Sequence, residues 1–409
     1  MKYDILNIFE QAETIKVEGS TISSLKKSST EKIGFRRFEN GKVFQTSKMG
    51  SADLDLLIME SKKWGGLGLP MAYAFAKAVT DQKSDTKNYR HKLEEFKLGL
   101  EVLRQEYSQF VFSGTCGISK SKTTFKSNYG VELESEGSKF GWGLIFQKKG
   151  SGNAFDGYFQ SQGVETDIMS GIKQAMKYLD VFDIVIDLKD GKYPIIMGDR
   201  DDCMSPFRKL TESFLANKYH EGSALFSSKL GEKLFNERIT LVDEAYNMQK
   251  NRLQFFDGEG TVRTSDLVMI DQGVFKNLFY DLRFAGKHKA QPTGNGLRSY
   301  NTGVALSSRH LYFKPGQKAW KEIVKNFDRC IVTNIAAGGD SNDLGEYSTP
   351  VQAAYVYENG ELIGRAPQIT LKTSVQRALN GDLIDVSSDR VDGDKCLGMP
   401  IAMMDVFNN

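Results

Sequence analysis

The chain has 409 residues, 40% of them apolar and 26% charged, which is enough apolar mass for one large core or for two to three ordinary domains. Its 54 Lys+Arg against 52 Asp+Glu leave a formal charge of +2, so overall charge makes no case for nucleic acid or an anionic membrane as a partner. No apolar run reaches the roughly 18 residues of a membrane span, and the first stretch, MKYDILNIFEQAET, carries Asp4 and Glu10 where a signal peptide would be uninterrupted.

In chain order, residues 3–12 place Ile5, Leu6 and Phe9 on one helical face and predict a helix. TIKVEGSTISSLKKSS and EKIGFRRFENGKVFQTSKMG read as strands, with Asn40-Gly41 as a hairpin turn. Ser51 can cap a helix through ADLDLLIMESKKW, which Trp64-Gly65-Gly66 ends. Residues 1–80 thus form a first α+β domain. The polar stretch at 81–92 reads as a boundary, and a helix follows with Leu93, Phe96, Leu100, Leu103 and Tyr107 at three- and four-residue spacings. Gly-punctuated antiparallel strands run from Gln109 to about Gly163. A second helix near 168–179 carries Ile168, Ile172, Ala175, Met176 and Leu179, and VFDIVID and KYPIIMGD read as buried strands. These make a central α+β segment, 81–193. From 194 to 409 the chain is mostly strands after one helix beginning at Ser205-Pro206, where a capping residue precedes proline. ITLVDE, SDLVMIDQGVFKNLFYD, AAYVYENGELIG and PIAMMDVF carry β-type residues, with turns at Asp271-Gln272-Gly273 and Asn359-Gly360 and a short helix in KAWKEIVKNF. The expected class is α+β: N-terminal helices and antiparallel strands, then a mostly antiparallel-β C-terminal domain, without βαβ alternation.

Four cysteines, at 116, 203, 330 and 396, are far apart and none forms a CxxC, which points to a reduced, cytoplasmic protein. The four histidines, His91, His220, His288 and His310, include no two within ten residues, which excludes an HExxH helix. No GxSxG elbow supports a serine nucleophile, although triad members can be distant in sequence. Taken alone, the polar motifs favour plain readings. WGGLGLP (64–70) is a helix-ending turn, and His220-Glu221 is a solvated pair at a helix end. GGDSNDLGEYS (338–348) lacks the order of a calcium loop and reads as a surface loop that can line a cleft. Asp257, Glu259 and Asp266 read as a solvated acidic turn. In PTGNGLRSYN (292–301) a tight loop presents Arg298, either simply solvated or able to bind a carboxylate such as a peptide C-terminus.

The order of these pieces resembles the TldD/PmbA family, the microcin-maturation proteases once called modulators of DNA gyrase. The family's pattern is D-x-E-G, a strand with an N/D-G turn, a strand ending in Y-D, and a T-G-N/H-G/A-x-R loop. Here those positions are Asp257, Glu259, Gly260, Gly273, Tyr280, Asp281, Thr293, Gly294, Asn295, Gly296 and Arg298. DGKYPIIMGD, SSKLGEKLFNERITLVDE, FKPGQKAWKEIVKNF and YVYENGELIGRAPQITL resemble flanking family segments, so the likeness covers most of the chain, strongest from about 190 to 375.

The TldD branch carries a metal-binding H-E-x-x-x-H on the helix after the start of this domain. In this chain the motif falls on Pro206, Phe207 and Thr211, none of which can replace two neutral imidazoles or a general-base carboxylate. Cys396 lies roughly where such members place a metal-ligating cysteine, but a lone thiolate does not make a zinc site. The resemblance is therefore to the PmbA (TldE) branch. It implies no metal or catalytic residue on this chain, zinc in a TldD-type partner, and a heterodimer enclosing a peptide-degrading chamber in which an extended peptide adds to sheet edges. Within such a chamber Gly294, Asn295, Gly296 and Arg298, and Gly338, Gly339, Asp340 and Tyr347, are the peptide-binding candidates. Two other readings stay open. One is a self-sufficient peptidase whose His220, His288 or His310 converges with Cys396, Glu212 or Asp257. The other is a stand-alone homodimer that binds peptides.

Overall fold

The structure, a computed structural model, describes residues 1–63, 68–70, 75–162, 167–197, 205–247, 254–336, 338–391 and 397–408. The turn expected at 64–67, Cys203 and Cys396 lie outside the described residues.

Strands β1 (Lys2–Glu18), β2 (Thr21–Glu39) and β3 (Lys42–Met49) form an antiparallel meander. Asn40 and Gly41 make its second turn at φ 50° and 69°, the double left-handed geometry for which Asn-Gly is suited. Helix α1 (Leu54–Lys62) follows, capped by Asp53 instead of Ser51, since the Asp53 carboxylate accepts from the Leu56 N–H at 2.7 Å. Then come β4 (Leu69–Pro70), β5 (Val79–Asp85), helix α2 (Arg90–Glu106), β6 (Phe110–Ser127), β7 (Val131–Lys148), β8 (Gly157–Gln162) and helix α3 (Ile168–Asp180). The eight strands make one sheet, ordered β4-β3-β2-β1-β6-β7-β5 with β8 also on β7.

Three expectations change here. Residues 3–12 belong to β1 and not to a helix. On one face Leu6 packs with Phe125, Phe255 and Phe256; on the other Tyr3 and Ile5 pack with Ile33, Phe35 and Leu57. A strand start buried on both faces loses the alternation that announces a strand. Residues 79–85, which run into the polar stretch expected as a boundary at 81–92, are a strand parallel to β7. Finally, β1 pairs with β6 from Asp4↔Ser127 to Val17↔Gly114, so the 1–80 and 81–193 segments share one sheet.

Helices α2 and α3 cover one face of that sheet. Leu93, Phe96, Leu100 and Leu103 meet Ile168, Ile172, Ala175 and Leu179 over Ile15, Val17, Phe112 and Trp142. Gly99 permits the close helix approach, because a Cβ there would stand 2.8 Å from Ile172.

The C-terminal half begins with β9 (Gly191–Met197), a 3-10 turn at Ser205–Phe207, and helices α4 (Arg208–Ser213) and α5 (Ala216–His220). VFDIVID is not a strand: Ile184 and Val185 are half exposed, and a single bridge joins Val185 to Arg365. A small sheet uses β10 (Leu241–Asp243), β11 (Leu267–Asp271), β12 (Val274–Phe275) and, after β13 (Gly296–Leu297) and β14 (Ala305–Leu306), β15 (Leu311–Phe313). Helix α6 (Leu282–His288) lies between β12 and β13. Helix α7 (Trp320–Val324) precedes β16 (Cys330–Ala336), β17 (Asp340–Ser341), β18 (Glu346–Glu358), β19 (Glu361–Arg365), β20 (Ile369–Ser374), β21 (Leu383–Val386) and β22 (Pro400–Asn408). Strands β16, β9, β22, β20 and β18 follow one another, and β18 returns to pair with β16, so the five close on themselves. Closure leaves these strands no open edge along the paired stretch. Tyr178 of α3 stacks on Tyr355 of β18 at 3.9 Å, which joins helices and closed strands in one core.

Candidate functional site

Helix α4 and the turn before it carry the residues on which the resemblance places the metal motif, and their sequence explains why the segment stays folded. Phe207 is buried edge-on to Phe313 at 5.5 Å, Leu210 is buried, and Phe214 meets Phe275 and Phe279 at 5.5 and 5.8 Å. Pro206 is also buried, and the Thr211 hydroxyl donates to the Arg208 carbonyl at 2.7 Å. At these three positions there is an apolar ring, an imide and a hydroxyl turned to its own backbone. Such a donor set does not fit zinc.

The outer face of α4 is charged. Lys218 reaches Glu212 at 2.8 Å and Lys209 reaches it at 3.4 Å. Burial alone would raise the Glu212 carboxyl, but these two ammonium groups outweigh it and hold it below its ordinary range. Lys209 also meets Asp343 at 2.9 Å, and Arg208 meets Asp340 at 3.3 Å. The structure thereby brings the Gly338–Tyr347 loop against α4. Gly338 and Gly339 both have left-handed φ, 95° and 93°, and a Cβ on Gly339 would stand 2.4 Å from that of Thr349. Gly338, Gly339 and Asp340 are exposed; Tyr347 is buried.

The T-G-N-G-x-R loop is placed differently. Asn295 is fully buried, its amide donating to Asp243 at 2.8 Å and the Ser307 carbonyl at 2.9 Å, its oxygen accepting from Arg263 at 3.0 Å and Thr293 at 2.8 Å. Gly294 leaves room for Arg309, whose Nε donates to the Gly294 carbonyl at 2.7 Å. A Cβ on Gly296 would lie 2.8 Å from a Glu259 oxygen and 3.2 Å from an Asp257 oxygen. The Arg298 side chain is 1% exposed and donates to Asp4 at 2.8 Å. It is neither the solvated arginine nor the exposed carboxylate binder that its loop composition predicts, because its partner lies in β1, nearly three hundred residues away.

Asp257 and Glu259 are also not a solvated turn. They are 0% and 1% exposed, whereas Asp266 is exposed. Asp257 accepts from the N–H groups of Glu259, Thr261 and Gly296 at 2.9–3.0 Å, and Glu259 accepts from the Leu282 N–H at 2.8 Å. Asp281 caps α6 through the Phe284 N–H at 2.7 Å. Asp4 collects Arg36, Arg298 and Tyr129. The D-x-E-G and T-G-N-G-x-R segments thus form a buried ionic joint between the N-terminal sheet and the C-terminal half. One signal was available: charged Asp4 and Arg36 sit inside apolar stretches and, as strands, face each other in register.

His220 and His288 do converge. Their rings stack at 3.6 Å with planes 6° apart, and His220 Nε2 lies 2.8 Å from the Tyr280 hydroxyl. A metal binds in the plane of an imidazole, so parallel stacked rings cannot share an ion. Burial, then His288 and Lys287, lower the His220 pKa and favour its neutral ring. His91 and His310 are elsewhere, with His310 held through its N–H by Asp243 at 2.8 Å. Among the described residues no three His, Cys, Asp or Glu side chains gather to hold a metal, and no helix is long and apolar enough to cross a membrane.

Residues 190–408 match the model of the PmbA/TldA metallopeptidase C-terminal domain. An uncharacterized protein of Methanocaldococcus jannaschii is 28% identical over 159 residues, covering 38% of this chain and 36% of its own length. A metalloprotease of the same archaeon is 26% identical over 167 residues, 41% of this chain and 35% of its own. The matched stretch thus spans little more than a third of these relatives. The crystal structure of TldE from Thermococcus kodakarensis superimposes with a TM-score of 0.85 at 19% identity, covering 99% of this chain and 96% of that one.

Proposed function

This chain belongs to the TldD/PmbA metallopeptidase family, and from that membership we propose that it is a non-catalytic, PmbA-like subunit that works with a zinc-bearing TldD-type chain on peptides. The observation that carries the proposal is the segment made of the 3-10 turn at Ser205–Phe207 and helix α4. Where the resemblance calls for two histidines and a glutamate, the chain has Pro206, Phe207 and Thr211, and the phenyl ring of Phe207 is packed into the core. Loss of imidazole and carboxylate there removes the means to lower the pKa of a zinc-bound water. The fold likeness to TldE is consistent with this role. On this reading the partner supplies the metal, and this chain supplies wall and peptide contacts in a cytoplasmic assembly. The exposed Gly338, Gly339 and Asp340 beside α4 are the contacts to test first. Gly294, Asn295, Gly296 and Arg298 then serve peptide binding only indirectly, by fixing the joint behind the surface.

The test is metal content and peptide cleavage on the same tag-free sample, followed by capture of the zinc-bearing chain. Zinc far below one equivalent, with no cleavage until the partner is added, is the expected result. One equivalent of zinc with chelator-sensitive cleavage by this chain alone would overturn the proposal in favour of a self-sufficient peptidase.

A further inference from the structure

The buried joint holds more acid than its donors satisfy equally. Asp4 takes Arg36 through three contacts of 2.6–3.1 Å, Arg298 at 2.8 Å and the Tyr129 hydroxyl at 3.1 Å. Asp243 takes Arg263 and the Asn295 amide, both at 2.8 Å, and two backbone N–H groups. Asp257 takes three backbone N–H groups. Glu259, equally buried, has one N–H at 2.8 Å and the Arg36 guanidinium at 3.5 Å, and that guanidinium is already turned to Asp4. Two further carboxyls face it, Asp257 from its own loop and Asp281 from the start of α6, whose other cationic neighbour is the exposed Arg283. Ionised, Glu259 would be a buried charge with too few donors beside two like charges, an arrangement that proton uptake relieves.

We propose that Glu259 is the protonated, uncharged member of this joint, and that its ionisation in base loosens the contact between β1–β2 and the 257–298 loops. Burial first, then Asp257 and Asp281, push its carboxyl up to about 8 against the opposing pull of Arg36 and the Leu282 N–H. A carboxyl whose folded pKa lies above its unfolded value stabilises the fold fully below the ordinary glutamate range near 4.5. That contribution falls as pH rises and is gone above about 8.

The experiment compares wild type with Glu259→Gln, which copies the shape of the protonated acid, in thermal and urea unfolding from pH 5 to pH 9 at fixed ionic strength. The expected result is that wild type loses folding equilibrium constant relative to E259Q by about tenfold per pH unit through that window, and that E259Q is the more stable protein above it. A difference between the two that does not change with pH would overturn the proposal, because it would mean that Glu259 is an anion at every pH tested. Should E259Q not fold, amide hydrogen exchange of wild type decides. Corrected for intrinsic base catalysis, β1 and β2 should open more readily at pH 8.5 than at pH 6, while α2 changes less. Equal change in both would overturn it.

Discussion

Two ionic clusters in this molecule use the same chemistry in opposite surroundings. On the outer face of α4, Glu212 is shared by Lys209 and Lys218 within reach of solvent, and Asp343, the next member, is 98% exposed. In the joint, Asp4, Arg36 and Arg298 form ion pairs with side chains no more than 4% exposed. Water screens the first cluster and leaves its pairs weak. The second has given up hydration, so each charge depends on the others, and removing one strands the rest. The contrast separates what the chain shows to solvent from what holds its halves together. The motif that reads as functional belongs to the second class.

The sharpest way to break the comparison is Asp4→Ala. It removes the carboxylate shared by Arg36, Arg298 and the Tyr129 hydroxyl, and loss of one partner from a buried pair costs on the order of 3–5 kcal/mol. Urea unfolding should show that drop. A loss no greater than that of a surface substitution would mean that the joint is hydrated. Next comes Asn295→Ala, which leaves Asp243 and Arg263 each short of a buried partner and should cost about 2–3 kcal/mol. Its signature in hydrogen exchange should lie in β10 and the 254–263 segment, with the closed β9–β22 strands unchanged. Uniform loss across the chain would deny Asn295 its local role.

The sequence carries the fold wherever a local rule decides. Asn40-Gly41 and Asn359-Gly360 mark their hairpins, and the apolar spacing of Leu93–Tyr107 and Ile168–Leu179 marks helices α2 and α3. It misleads where tertiary contact overrides the pattern. The start of β1 is buried on both sides, so Ile5 and Leu6 are adjacent apolar residues and mimic a helix. The site divides in the same way. That Pro206, Phe207 and Thr211 offer no imidazole or carboxylate to a metal is visible from residue types, and so is the turn chemistry of Gly338-Gly339. The burial of Glu259 and Arg298 is not, because Gly-rich polar segments usually face water and the groups that cover these two come from β1 and β2. Only the charges inside apolar strands, Asp4 and Arg36, hinted at a partner.

The smallest effect is expected where solvent dominates. Glu212→Gln removes the shared anion of the α4 face while keeping its shape. Since Glu212 is only half-buried, the loss should stay below about 1 kcal/mol and shrink as salt is added. Its pH dependence runs opposite to that of Glu259. Lys218 and Lys209 hold the Glu212 carboxyl below its ordinary range, so its contribution is present above that range and is lost as pH falls through the lowered value. Wild type and E212Q should therefore converge in acid, just as wild type and E259Q converge there, but from opposite sides. At pH 8 E212Q is the weaker protein and E259Q the stronger. If both substitutions shifted stability in the same direction at pH 8, the distinction between a screened surface cluster and a proton-loaded buried joint would fail.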